Sequence, residues 1–278
     1  MESASAKSGI LWVVSTPIGN LDDMAPRAVE VLGEADAIAA EDTRHSGRLL
    51  KHFGIQARQI SLHEHNEAQR VSFLVKRLEA GDTIAVICDA GTPLISDPGY
   101  RLVRAARHAG IAVSSVPGPC AAVAALSIAG LPTDRFRFEG FLPPKAGARD
   151  KRLDSLKDTF ETVVFYETPR RVVRTLRAMT RYFGPDREAV LCRELTKLHE
   201  TVLSGSLESL IGRLENEPGQ LRGEMVLVVA GEPASVDPDR QLEEGRRLFE
   251  LLRQELSAGK AAKLAASWSG CRRRDLYQ

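Results

Sequence analysis

The residues best suited to chemistry lie in two stiff loops. The first, Asp89–Gly99 (DAGTPLISDPG), combines two glycines with two prolines, so its backbone is held in one shape with peptide edges left open. The second, Pro117–Ala122 (PGPCAA), is again rigid and free of bulk. Each follows an apolar run of strand length, and ligands of open α/β sheets bind beyond the carboxyl ends of strands. One such loop would more readily be a plain turn. Two after consecutive strands predict a slot in which a flat, polar ligand lies against backbone N–H and C=O groups. The loop Ser15–Asn20 (STPIGN) has neither G-x-G-x-x-G nor G-x-x-x-x-G-K-S/T spacing, which disfavours the usual dinucleotide and P-loop cradles. With no metal-ligand spacing and no G-x-S-x-G elbow, neither a metal site nor a hydrolase nucleophile is expected.

The elements that must position these loops follow from hydrophobic pattern. Ile10–Ser15, Ala35–Ala40, Thr83–Cys88 and Ile111–Val116 are continuous apolar or small runs, expected of strands buried on both faces. A helix is expected from about Glu64, carrying Val71, Leu74, Val75 and Leu78 at helical spacing, and another over Gly99–Ala109, stopped by Gly110. Strand and helix alternate, which predicts an α/β fold with a mostly parallel sheet. Cys120–Gly130 reads as a helix nearly free of bulky side chains, able to approach a neighbour or ligand closely. Beyond it Phe136 and Phe138 alternate with Arg137 and Glu139, so a second sheet with one polar face and mixed or antiparallel pairing is expected. Its further strands are placed at Thr162–Glu167, Glu188–Leu195, Thr201–Leu203 and Glu224–Ala230. The organisation is therefore an N-terminal domain over 1–130, a second domain over 131–235 completing the cleft, and a short helical tail over 236–278.

The 278 residues are 43% hydrophobic and 27% charged, enough for a sizeable core, and the net charge is only +1. A nucleic-acid site would have to be a local patch. The four cysteines form no C-x-x-C pair, and neither a signal pattern nor a membrane-spanning apolar run is present, so a soluble cytoplasmic protein with reduced thiols is expected.

DAGTPLISDPG, followed by VPGPCAA (Val116–Ala122), resembles the cofactor site of the tetrapyrrole methylase family. STPIGNLDD (Ser15–Asp23), AEDTRHSGRLL (Ala40–Leu50), SLHEHNE (Ser61–Glu67), FYETPRR (Phe165–Arg171) and RELTKLHE (Arg193–Glu200) resemble its ribosomal-RNA-modifying branch. The resemblance implies a two-domain class III methyltransferase that is a homodimer and holds S-adenosylmethionine between its domains. It also implies methylation of a cytidine 2′-hydroxyl in the decoding region of 16S ribosomal RNA on the small subunit. Carried over residue by residue, the cofactor contacts it implies are Pro17, Ile18, Gly91, Thr92, Leu94, Ile95, Cys120, Ala121, Tyr166, Glu167, Leu195 and Thr196. Cys120 departs from the family's usual serine; a thiol is the weaker donor, so the backbone contact is the one expected to persist.

A ribose 2′-hydroxyl attacks poorly until its proton is accepted. Glu41, Asp42, His63 and Glu64 are the candidate acceptors, with helix capping the alternative reading of His63 and Glu64, and a structural ion pair that of Asp42 with Arg44. Arg44, Arg170, Arg171, Arg174, Arg177 and Lys197 are the expected RNA contacts, four of them read as a stripe on the helix after FYETP. Two alternatives stay open: the same fold acting on a tetrapyrrole precursor or a translation-factor residue, and a non-catalytic RNA-binding assembly protein.

Overall fold

The computed structural model describes residues 9–63, 65–232 and 238–277. The chain divides into two compact units, 1–231 and 232–278.

The first unit is built on two five-stranded sheets. One contains β1 (Ile10–Val14), β2 (Ala37–Ala40), β3 (Gln59–Ser61), β4 (Thr83–Ile87) and β5 (Ala112–Val116), in the order β3-β2-β4-β1-β5 with every pair parallel. Its central strands are buried on both faces, which is why they read as unbroken apolar runs. Ile84 and Val86 of β4 face Leu74 and Leu78 of α3 (Glu67–Glu79) and Leu102 of α4 (Tyr100–His108). Ala85 and Ile87 face the other way, toward Leu32 of α1 (Pro26–Glu34) and Leu50 of α2 (Thr43–His52). Since β4 inserts between β1 and β2, the loops after β1 and β4 emerge side by side and are tied by a Thr16–Gly91 bridge.

After α5 (Ala121–Ile128) comes the second sheet. It orders β6 (Phe136–Phe141), β7 (Thr162–Glu167), β10 (Met225–Val229), β8 (Glu188–Arg193) and β9 (Thr201–Ser206) as β6-β7-β10-β8-β9. One face packs on α6 (Ala146–Asp154), α7 (Val172–Phe183) and α8 (Leu207–Asn216) through Leu153, Leu176, Met179 and Leu210. The other face receives α5, whose Ala122 and Ala125 let the helix lie close to Val164, Val190 and Val226.

Several expectations are corrected. β6 pairs with β7 in parallel, which makes the second sheet mixed; its Phe–Arg–Phe–Glu alternation does not separate a buried from a polar face, since Phe136 is exposed like Arg137 and Glu139 is half-buried like Phe138. The helix expected from Glu64 begins at Glu67, because Asn66 is tied back to the preceding segment: His63 N–H donates to Asn66 Oδ1 at 2.9 Å and Asn66 Nδ2 to Ser61 O at 3.2 Å. The polar stretch 41–45 opens α2, with Asp42 as its N-cap accepting from Arg44 N–H. Glu67 is buried and accepts the N–H groups of Gly99 and Arg101 at 3.1 and 2.9 Å. It thereby caps α4 and pins the far end of the Asp89–Gly99 loop.

The second unit is a helical pair, α9 (Pro238–Leu252) and α10 (Ala258–Ser269), closed by a 3-10 turn at Arg273–Tyr277. Phe249, Ala261, Ala262, Ala265 and Leu276 form its core.

Candidate functional site

The loops at the strand ends enclose a cleft of about 350 Å³. From the first sheet come Ile18, Glu41, Asp89, Gly91, Thr92, Ile95 and Asp97; Cys120 and Ala121 open α5; the second sheet supplies Phe141, Tyr166, Glu167, Cys192, Leu195, Glu224, Met225 and Val226. Fixed backbone defines its rim. Among the described residues, the non-glycine positions with positive φ are Leu94 (72°), Ser96 (69°), Glu194 (52°) and Thr196 (66°), all in two loops bordering this cleft. Strained backbone of this kind costs about 1–3 kcal/mol per residue and persists where the surroundings over-determine it, as at ligand sites. Ser15 and Thr92 join by hydroxyls at 3.1 Å, and Thr92 donates to Pro119 O at 3.0 Å, fastening the three loops of the first sheet together.

Ile18, Leu195, Met225 and Val226 give the cleft an apolar part, and Phe138 and Phe141 meet Tyr166 edge-on at 4.9 and 5.6 Å. Burial pushes the Tyr166 phenol up, so it stays a neutral donor. Glu41, Asp89, Asp97 and Glu224 make another part acidic. Burial raises the Asp97 carboxyl, and the negative charge of Asp89 raises it further, against a lowering contact with the Cys88 thiol. The Cys88 and Cys192 thiols are themselves pushed up by burial, Cys192 to about 11, and remain protonated. A nucleoside bearing an attached cation fits this lining: an apolar slot for a ring, open peptide edges for its polar rim, and carboxylates opposite positive charge.

Of the residues expected to touch cofactor, Ile18, Gly91, Thr92, Ile95, Cys120, Ala121, Tyr166, Glu167 and Leu195 line the cleft. Pro17 lines an adjoining hollow. Leu94 lies outside the lining, under Gly99, and Thr196 outside it with its N–H on Glu200. Glu167 is committed to structure: its oxygens accept from Thr175 Oγ1 at 2.6 Å and Thr168 N–H at 2.9 Å, and Arg171 Nε lies 3.2 Å away. Among the described acceptor candidates, Glu41 lines the cleft, Asp42 is spent on the α2 cap, and His63 is turned to Asn66. Glu64 lies outside the described residues.

The basic stripe is corrected in part. Arg170 precedes the helix, Arg171 is its N-cap and donates to Leu142 O, and Arg177 pairs with Glu215. Arg174 is exposed on α7. Arg44 is exposed, 3.6 Å from Asp42. Lys197 holds Glu194 and Glu224 at 2.9 and 3.0 Å. Burial works to lower the Lys197 ammonium, but the two carboxylates outweigh it and hold it raised. The site residues expected from the sequence did not include Asp97, Phe141 or Met225 at the start of β10, all of which line the cleft. Because β10 runs antiparallel to β7 and β8, its first residue, Met225, faces Glu167 and Arg193 at their carboxyl ends. The signal was the predicted antiparallel pairing, which puts strand beginnings, as well as strand ends, at the site.

A parallel and a mixed five-stranded sheet share one cleft, and that fold is found in two solved methyltransferase structures of class III type. The structure of uroporphyrin-III-C-methyltransferase from Thermus thermophilus matches with TM-score 0.54 at 23% identity, covering 80% of this chain and 94% of that one. The methyltransferase CobJ matches at 0.60 and 20%, covering 81% and 95%. Residues 10–211 match the family described as Tetrapyrrole (Corrin/Porphyrin) Methylases, and 239–278 the RsmI C-terminal HTH domain. Ribosomal RNA small subunit methyltransferase I of Pseudomonas aeruginosa is 50% identical over 98% of this chain and 96% of its own length. Its namesake from Escherichia coli O157:H7 is 47% identical over 100% and 96%. The chain belongs to the tetrapyrrole methylase family, in its ribosomal RNA small subunit methyltransferase I group.

Proposed function

We propose that this chain uses S-adenosylmethionine to methylate the 2′-hydroxyl of cytidine 1402 in the 16S ribosomal RNA of the small subunit, acting in the cytoplasm as a homodimer. The observation that carries the reading is agreement over nearly the whole length, C-terminal helical unit included, with relatives named for small-subunit ribosomal RNA.

The bound cofactor supplies a methyl group on a sulfonium, already an excellent leaving group. The chain's part is alignment and one proton. Gly91, Thr92, Cys120 and Leu195 border the slot that would hold the nucleoside, and the carboxylates of Glu41 and Asp89 would offset its positive charge. Asp97 takes the hydroxyl proton: it faces the cleft, burial raises its carboxyl above the usual carboxylate range, and no cation pairs with it among the described residues. The test is tritium transfer from labelled S-adenosylmethionine to small subunits lacking native 2′-O-methylation, with nucleoside analysis. Label in 2′-O-methylcytidine is expected; cofactor binding without any label in RNA would reject the RNA reading.

The cofactor slot has its own check. Gly91 has φ +87°, and a Cβ there would sit 3.2 Å from Ile18 Cγ2 and 3.6 Å from Pro119 O. Gly91→Val therefore strains the loop and narrows the slot, and cofactor affinity by calorimetry should fall by about tenfold or more, the equivalent of a modest backbone strain. Unchanged affinity would mean that the ligand lies elsewhere.

A further inference from the structure

Beside the cofactor cleft lies a second hollow of about 380 Å³, meeting it at Asp89, which lines both. Its walls are Pro17, Gly19 and Leu21 from the loop after β1, and His45, Arg48 and His52 from α2. Those three fall at i, i+3 and i+7, one exposed face of the helix, while Ser46 and Leu50 anchor the opposite face in the core. Their state contrasts with three of the basic groups singled out from the sequence. Arg171, Arg177 and Lys197 are held by carboxylates. Arg48 and the imidazoles of His45 and His52 have no carboxylate partner among the described residues, His52 only resting edge-on against Phe53. The one carboxylate in the lining, Asp89, already accepts Asp42 N–H through Oδ1 at 3.2 Å.

We infer that the His45–Arg48–His52 face of α2 is a phosphate subsite, holding the backbone of the RNA strand whose ribose enters the adjoining cleft. This rests on the RNA reading above. A ribose hydroxyl presented to the cofactor carries a phosphodiester within one nucleotide's reach, so its phosphate must lie just outside the cofactor slot, where this hollow is. A guanidinium fork matches two phosphate oxygens at once, and each imidazole adds an N–H donor.

The test compares the full-length wild type with the H45Q/R48Q/H52Q variant and with R48Q alone. Each is assayed for methyl transfer to unmethylated small subunits, for cofactor affinity by calorimetry, and for binding of a fluorescein-labelled decoding-region RNA across a salt series. The triple variant is expected to raise the KM for subunits at least about tenfold with kcat and cofactor affinity little changed, and to flatten the salt dependence of RNA binding by about one ion per lost phosphate contact. R48Q should show most of both effects. Wild-type KM and salt slope in the triple variant would overturn the subsite alone. Failure of the wild type itself to bind or methylate RNA would overturn the RNA reading and the subsite with it.

Discussion

Asparagine in place of Asp97 is expected to slow methyl transfer to RNA by about 10²–10³-fold while cofactor affinity stays within about threefold, as for loss of a positioned proton acceptor. The carboxyl faces the cleft beside Cys88 and Asp89, and burial raises its pKa. The charged form is the base, so the wild-type rate should climb with pH and level off above that raised value, and the variant should lose this limb. The same shift fixes the sign for stability. A folded-state pKa above the unfolded one gives stability that is present at pH below the unfolded value and lost as pH rises through the folded value. At neutral pH, ionised Asp97 therefore opposes folding, and the Asn variant should melt at the same temperature or higher. A slow enzyme that is no less stable is the signature of a functional group. Reduced cofactor affinity with normal turnover at saturation would instead make Asp97 a contact for the cofactor's positive charge.

Why Asp97 escaped the sequence reading, while its loop did not, is a matter of what pattern can encode. DAGTPLISDPG declares a rigid loop through its glycines and prolines, and Gly91 (φ +87°) and Gly99 (φ +123°) do take conformations that favour glycine. Which side chain of such a loop turns inward depends on Leu94 and Ser96 adopting positive φ, which neither residue type announces. The parallel sheet was legible for a simple reason: β4 is buried on both faces, so after its first residue, Thr83, the strand is unbroken apolar sequence, Ile84–Ile87. α2 was hidden because Leu49 and Leu50 are the only bulky apolar residues in TRHSGRLLKH, its start being marked by the Asp42 cap alone. Charge was the least legible property. Arg170, Arg171, Arg174 and Arg177 look equivalent along the chain, yet Glu167 and Glu215, from β7 and α8, engage two of them and change what they can bind.

Glu167 makes the sharpest case, because resemblance gives it to the cofactor and packing gives it to the fold. Its side chain is 1% exposed and that of Arg171 21%. It accepts from the Thr175 hydroxyl and Thr168 N–H, while Arg171 Nε sits 3.2 Å away as an ion contact without hydrogen-bond alignment. Arg171 in turn reaches Leu142 O, so one carboxylate links the end of β7, the first turn of α7 and the segment after β6. Removing a single partner leaves a poorly hydrated guanidinium and an unpaired hydroxyl, a change that costs about 3–5 kcal/mol in buried pairs. Glu167→Ala is therefore expected to lower the melting temperature of the folded chain by about 10 °C or more, given the usual 2–4 °C per kcal/mol for domains of about 150–250 residues. Glu167→Ala combined with Arg171→Met should recover part of that loss, since neither member is then stranded. Measured well below its melting point, the single variant should bind S-adenosylmethionine with an affinity close to wild type. The opposite pattern, an unchanged melt with cofactor binding lost, would return Glu167 to the cofactor site, and Tyr166 would then be the side chain at the end of β7 left to brace the cleft through its contacts with Phe138 and Phe141.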